Sequence, residues 1–135
     1  KKNIQILDGQ LEGSIKTDAL SRALYATDAS VYKKTPLAVS FPKSISDLKK
    51  HSFAQEHRLG IIPRTAGTSL AGQCVGDGIV VDVSKYFCDI IALDIKKKTV
   101  TVQPGVIRDE LNRYVKPFGL FFGPNTSTSN RCMIG

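Results

Sequence analysis

The stretch Pro63-Arg64-Thr65-Ala66-Gly67-Thr68-Ser69-Leu70-Ala71-Gly72-Gln73 decides the reading of this chain. An apolar pair, Ile61-Ile62, precedes it, and a run of strand formers, Ile79-Val80-Val81-Asp82-Val83, follows. Apart from Leu70, the stretch holds almost no large side chain. Gly67 and Gly72 permit backbone angles that other residues avoid and let backbone approach a ligand closely. Thr65, Thr68 and Ser69 add hydroxyls, and Arg64 adds a rigid cationic fork. Successive N–H groups, hydroxyls and one cation suit an anion, most often a phosphate. An ordinary Gly/Ser/Thr connection between two strands fits the same composition.

Two familiar phosphate motifs fail here. Gly67 and Gly72 have the P-loop spacing, but Gln73 and Cys74 stand where Lys and Ser/Thr are required. Gly76-Asp77-Gly78 begins like a dinucleotide fingerprint, yet Ile79-Val80-Val81 continues it as a strand rather than a helix. A nucleotide bound at this stretch is therefore held by another architecture.

The 135 residues fit one domain by length, and 41% hydrophobic with 23% charged residues is ordinary for a globular chain. No apolar run approaches the roughly 18 residues of a membrane span. The N-terminus turns polar too soon for a secretory signal. The first residue is Lys rather than Met, so the expectation is a processed chain or a fragment. The net charge of +7 invites a nucleic-acid reading, but the lysines are scattered and only Lys96-Lys97-Lys98 form a run. Trp is absent, and no aromatic–basic interleaving supports an RNA-binding sheet. Anionic ligands, an acidic partner segment or solubility account for the excess equally well. Cys74, Cys88 and Cys132 form no C-x-x-C, which points to free thiols in a reducing compartment.

Residues 1–16 read as a short helix and a loop. Thr17 is the expected N-cap of a helix ending near Tyr25-Ala26, and a turn follows through Tyr32. Leu37 to Phe41 reads as a strand. Ser44 and Asp47 resemble a capping box at the start of a helix through about His57, with Ile45, Leu48 and Ala54 inward. Gly60 to Pro63 begins the next strand, and strand–helix–strand implies a parallel pair with a right-handed crossover. The opening stretch then lies at the carboxyl end of a strand, where ligands gather in open α/β arrangements. Ile79 to Val83 is a further strand. Residues 90–94 and 99–103 form an antiparallel hairpin with Val100 and Val102 inward. A helix over 107–115 is stopped by Pro117 and Gly119. Residues 123–130 are turn formers and hydroxyls. A composition change near residue 78 divides the chain into a βαβ-type lobe, 1–78, and an antiparallel lobe, 79–135. The loops 64–73 and 123–130 would together line a cleft for a long ligand with a central diphosphate.

The stretch 63–73 resembles the FAD-diphosphate loop of the FAD-linked oxidases with the PCMH-type domain, the vanillyl-alcohol oxidase-like flavoproteins. The segments around Pro36, Ile79, Pro104 and Leu111 match that family in order, and Cys132-Met133-Ile134-Gly135 resembles the segment beside the isoalloxazine and ribityl chain. The resemblance covers about residues 17–135, with the D-lactate dehydrogenase and glycolate oxidase flavoprotein subunits the most similar group; Tyr25 to Tyr32 looks like the lead-in of that group.

The resemblance implies an α+β, PCMH-type FAD-binding fold: a βαβ lobe followed by part of an antiparallel lobe. It implies that Arg64, Thr65, Ala66, Gly67, Thr68, Ser69, Gly72 and Gln73 cradle the diphosphate, mainly by backbone N–H. Pro104, Gly105, Pro124, Asn125, Thr126 and Ser129 would border the adenosine and ribityl parts. Cys132, Met133, Ile134 and Gly135 would approach the flavin. Thr68 occupies the position where some members attach flavin through His, so the cofactor is expected to be noncovalent FAD. Ala66 stands where many members have Gly, and 125–129 lacks the Asp-Pro common in relatives.

The chain stops inside such a domain, so the rest of it and the substrate domain, with the acid/base residues, are expected elsewhere. His51 and His57 read as solvated, and no carboxylate pair, metal cluster or Ser/His pair is visible; no catalytic residue or metal site is assigned. The whole protein is expected to oxidise a 2-hydroxy acid such as D-lactate or glycolate and to pass electrons to an accepting partner. It is expected in the cytoplasm or peripheral to a membrane, and an open sheet edge would favour self-association. A noncatalytic isolated fragment and a basic nucleic-acid-binding module remain the alternatives.

Overall fold

A computed structural model describes residue 4 and residues 7–135. The elements, in order, are β1 (Ser14–Lys16), α1 (Ala19–Leu24), β2 (Ala38–Phe41), α2 (Ile45–Lys50), α3 (Phe53–Glu56), β3 (Ile61–Arg64), β4 (Ile79–Asp82), β5 (Ile90–Asp94), β6 (Thr99–Val102) and α4 (Arg108–Val115), with a 3₁₀ turn over Lys116–Phe118. The α+β class expected from sequence is the class observed.

Strands β1 to β4 form one sheet in the order β1-β2-β4-β3. β2 and β3 both run parallel to β4, and β1 runs antiparallel to β2. All four residues of β4 are buried, as suits a strand with parallel neighbours on both sides. The expected parallel relation of β2 and β3 therefore holds, but they are not a pair, because β4 enters between them. The sheet thus runs across the compositional change at residue 78.

One sheet face packs Ala38, Ile79 and Val81 against Ile4, Leu7 and Ile15, with Leu48, Phe53 and Leu59 packed around them. Val39 and Val80 are fully buried on the other face. β5 and β6 form the expected hairpin, and Val100 and Val102 pack with Leu111 and Val115 of α4 in a second core. Tyr114, one of two inward candidates on that helix, is exposed; Val115 is the buried one. Gly119, at φ 69°, closes the 3₁₀ turn.

Three local expectations need correction. Of the N-terminal segment expected to be a helix and a loop, residues 1–3, 5 and 6 lie outside the described residues and residues 4, 7 and 8 are helical as expected, but 14–16 is the strand β1. The N-cap of α1 is Asp18 rather than Thr17; its carboxylate accepts from the Ser21 N–H at 2.8 Å. The helix expected through His57 breaks into α2 and α3, and Ile45 at its start is exposed rather than inward.

Ser44 does cap α2, accepting from the Asp47 N–H at 3.2 Å, but Asp47 does not complete a reciprocal box. Its buried carboxylate instead accepts from the backbone N–H groups of Glu12, Gly13 and Lys43, at 2.9, 2.9 and 3.0 Å. His51, expected in solvent, is buried beside it. Nδ1 faces the Asp47 carbonyl and Nε2 faces Ser40 Oγ, both at 2.9 Å. A Ser/His pair thus exists that the sequence spacing hid. Ser40 is fully buried, so the pair is closed to substrate and serves packing. His57 stays exposed, with its ring tilted by 47° against that of Phe53 at 4.1 Å between centres.

At the entry to β4 two backbones approach closely. The Leu37 N–H donates to the Gly78 carbonyl and the Ile79 N–H to the Gly60 carbonyl, each at 2.8 Å. A Cβ on Gly78 would collide with the Gly60 carbonyl oxygen. Gly78→Ala is therefore expected to lower unfolding free energy by about 2 kcal/mol, in the range of overpacking substitutions. Chemical denaturation of the protein checks this, and a wild-type midpoint would contradict it.

Candidate functional site

β3 and β4 are parallel, so their carboxyl ends share one edge of the sheet. β3 ends at Arg64, whose carbonyl accepts from the Val83 N–H just past β4 at 3.0 Å. The loop quoted at the outset leaves from this point. It forms one wall of a cleft of about 510 Å³, through Thr65, Gly67, Thr68, Ser69, Gln73 and Cys74. Thr126, Ser127, Thr128, Cys132 and Gly135 form the other wall. The Thr65 hydroxyl donates to the Gly135 carbonyl at 2.7 Å and ties the walls together.

The backbone N–H groups of residues 66–70 donate to no acceptor among the described residues. A run of unpartnered amides beside hydroxyls, with no Asp or Glu side chain among the lining residues, is a setting for an anion. Gly67 is essential to that shape. Its φ is +65°, in the left-handed region that favours glycine, and its carbonyl accepts from the Ala29 N–H at 3.0 Å.

The second wall is held by the start of α4. The Arg108 N–H donates to the Cys132 carbonyl at 3.0 Å, and Arg108 Nε to the Pro124 carbonyl at 2.6 Å. Ser129 donates its hydroxyl to Asp109 at 3.0 Å. The Ile134 N–H donates to the Val106 carbonyl at 3.0 Å, and the Gly135 N–H to that of Pro104 at 2.9 Å. The loop expected to be all turn is thus tethered at both ends.

Of the residues assigned from sequence, Thr65, Gly67, Thr68, Ser69, Gln73, Thr126, Cys132 and Gly135 line this cleft. Ala66 belongs to the same loop without lining it. Arg64 turns away: Nη1 donates to the Thr27 carbonyl at 2.8 Å, and the guanidinium lies 4.9 Å from the centre of the Tyr25 ring. Gly72 lines a separate depression with Tyr32, Lys33 and Lys34. Gly105 is buried, its N–H on the Phe87 carbonyl at 2.7 Å. Pro104 reaches the cleft only through Gly135. Pro124 and Ser129 are occupied by α4, Asn125 is exposed, and Met133 and Ile134 are half-buried behind the wall.

Cys74, Ser127 and Thr128 line the cleft without having been singled out. The last two lay inside a loop already marked as hydroxyl-rich, so the signal was present at loop level. Behind the loop, Tyr25 donates its hydroxyl to the buried Asp82 at 2.5 Å. Burial, then the Asp82 hydrogen bond and charge, push the Tyr25 phenol well above its ordinary value. Burial raises the Cys74 thiol, and the nearby Arg64 charge only partly opposes it. No group of His, Cys, Asp and Glu among the described residues could hold a metal. No described helix is long and apolar enough to cross a membrane.

Parallel strands ending at a small-residue loop, with hydroxyls around an open cleft, form a candidate anion site within a mixed sheet-and-helix domain. The chain belongs to the FAD binding domain family of PCMH type, whose model matches residues 36–135. It is 41% identical over 128 residues to D-2-hydroxyglutarate dehydrogenase of Haemophilus influenzae, covering 92% of this chain and 12% of that protein. It is 36% identical to glycolate oxidase subunit GlcD of Bacillus subtilis, over 84% of this chain and 25% of that one. Among solved structures, an alkyldihydroxyacetonephosphate synthase superposes with a TM-score of 0.82 at 17% identity, over 99% of this chain and 30% of that one. At that identity the likeness establishes the fold alone. The chain thus spans a small part of the proteins it matches. The cleft fits the cofactor of the family: the free amides of its loop and its uncharged hydroxyls suit the diphosphate of FAD.

Proposed function

We propose that residues 66–70, with the hydroxyls of Thr126 and Thr128 opposite, hold the diphosphate of FAD in an enzyme that dehydrogenates a 2-hydroxy acid. The observation that carries this reading is a loop with unpartnered amides at 66–70 whose Gly67, Thr68 and Ser69 line a cleft opposite Thr126, Ser127 and Thr128. Bound FAD supplies a two-electron acceptor, and this chain's residues supply binding and orientation. D-2-hydroxyglutarate is the favoured substrate over glycolate or D-lactate, since several relatives at 38–42% identity carry its name. An electron-accepting partner and a cytoplasmic site belong to the same reading, as does division into a sheet lobe and a hairpin–helix lobe. So does self-association through the outer edges of β1 and β3.

The attachment is proposed to be noncovalent. Thr68 is a poor nucleophile, and Cys74, with its thiol pushed up by burial, stays protonated at neutral pH. Acid precipitation of the flavin-loaded protein that carries this chain tests both points. Yellow flavin in the supernatant is expected. A colourless protein that retains no flavin after FAD addition and desalting overturns the reading, and flavin left in the pellet overturns noncovalent attachment.

A further inference from the structure

The segment 25–29 precedes the residues covered by the family model, yet it touches the phosphate loop along its length. Near the start of the loop, Arg64 donates to the Thr27 carbonyl at 2.8 Å and lies over the Tyr25 ring. In the middle, the Ala29 N–H donates to the Gly67 carbonyl at 3.0 Å. At the far end, Asp28 Oδ2 accepts from the Cys74 N–H at 3.4 Å, while Oδ1 accepts from the Ser30 N–H at 2.8 Å and holds the carboxylate in place. Tyr25 closes the arrangement on Asp82, the last residue of β4.

One short segment therefore grips the beginning, middle and end of a loop that carries a glycine at positive φ and five consecutive residues with unpartnered amides, 66–70. Without that grip, the loop's own bonds are few: the Ala71 N–H to Ser69 Oγ at 3.1 Å and the Val75 N–H to the Gly72 carbonyl at 3.2 Å. Unpartnered amides bind an anion tightly only when their directions are fixed beforehand, because ordering them on binding subtracts from affinity. We propose that Tyr25 and Asp28 are positioning residues for FAD, which preorganise loop 66–70 from behind without touching the cofactor. This rests on the assignment of the diphosphate to that loop.

The test is titration of FAD-free full-length protein with FAD, read by flavin fluorescence, beside thermal melts of the same FAD-free protein. Asp28→Ala is expected to weaken FAD by roughly tenfold, about the worth of one charge-assisted hydrogen bond. Asp28→Asn, which keeps the size but only one acceptor oxygen, should fall between Asp28→Ala and wild type. Tyr25→Phe, which keeps the ring under Arg64 but loses the hydroxyl on Asp82, should also weaken FAD. Asp47→Ala, in the first core, serves as a control that lowers the melting temperature with wild-type FAD affinity.

Graded loss in the Asp28 pair, with the control unaffected in affinity, supports the proposal. Wild-type affinity in the Asp28 and Tyr25 variants, with Gly67→Val unable to bind, overturns the positioning role and leaves the cleft assignment standing. Binding by Gly67→Val as well overturns both. Equal weakening in Asp47→Ala reduces the effect to general destabilisation and also overturns the proposal.

Discussion

Gly67→Val is expected to abolish FAD retention in the full-length protein while leaving the fold largely intact. Two effects combine at this residue. A β-branched side chain at φ +65° is strained by about 1–3 kcal/mol, so the loop would shift toward another conformation. The added Cβ would also stand 2.7 Å from Arg64 Nη2. That contact alone could be relieved by movement of the flexible Arg64, but the movement would disturb the bonds that Arg64 makes to Thr27 and Tyr25. The side chain would therefore press on Arg64 from the loop side and shift the backbone that carries the amides of 66–70. The sheet is not involved, since Gly67 lies past the end of β3. Flavin absorbance per protein after desalting, with a circular dichroism spectrum to check the fold, reads the outcome. Wild-type flavin content would contradict the assigned role.

Asp47→Ala is expected to have the largest effect on stability. The carboxylate is buried and satisfies three backbone N–H groups, from Glu12, Gly13 and Lys43, that join the approach to β1 with the start of α2. Removing it leaves those donors unmatched at about 1–3 kcal/mol each where water cannot reach them, so a loss of about 3 kcal/mol is expected. The same group gives stability a pH dependence. Burial acts to raise the Asp47 carboxyl, but the bonds from Lys43, Glu12 and Gly13 and the Lys50 charge outweigh it and hold it below the ordinary value. A folded-state value below the unfolded one means that the contribution is fully present above the ordinary carboxyl value of about 3.9. It is lost as pH falls through the lower folded value. Denaturation curves between neutral pH and about pH 3 should show Asp47→Ala less sensitive to acid than the wild type. Parallel pH profiles would contradict this account.

The sequence was most legible where periodicity and turn chemistry agreed. The β5–β6 hairpin, with its alternating Thr and Val, and α4, between Pro104-Gly105 and Pro117, were both readable from local pattern. The order of the parallel strands was not, because nothing local tells β2 that β4 will pair with it before β3 does. The fate of Asp47 was hidden for a related reason. Its position three residues after Ser44 predicts a local cap, whereas its partners at Glu12 and Gly13 are more than thirty residues away. His51 looked solvated because its sequence neighbours are Lys49, Lys50 and Ser52, but the helix turns it inward onto Ser40.

At the site, the loop was visible and its atoms were not. Gly67 and the hydroxyls stood out as a group, and most of them line the cleft. Arg64 stood out equally, as the one cation in the stretch, yet its guanidinium is used behind the loop. Composition gives a residue's chemistry without its direction. Tyr25 and Asp28 lay in a segment marked only as a lead-in resembling the family, since their role depends on contacts with residues dozens of positions later. Gly105 was marked as a cofactor neighbour through the resemblance of the segment around Pro104 to the family. Here its missing side chain makes room for the Phe87 carbonyl.

The most direct measurement is the structure of the full-length protein with FAD bound. The account predicts the diphosphate within hydrogen-bonding distance of the amides of residues 66–70, with the hydroxyl wall at 126–128 across from it. A bound FAD whose diphosphate lies outside this cleft would contradict it.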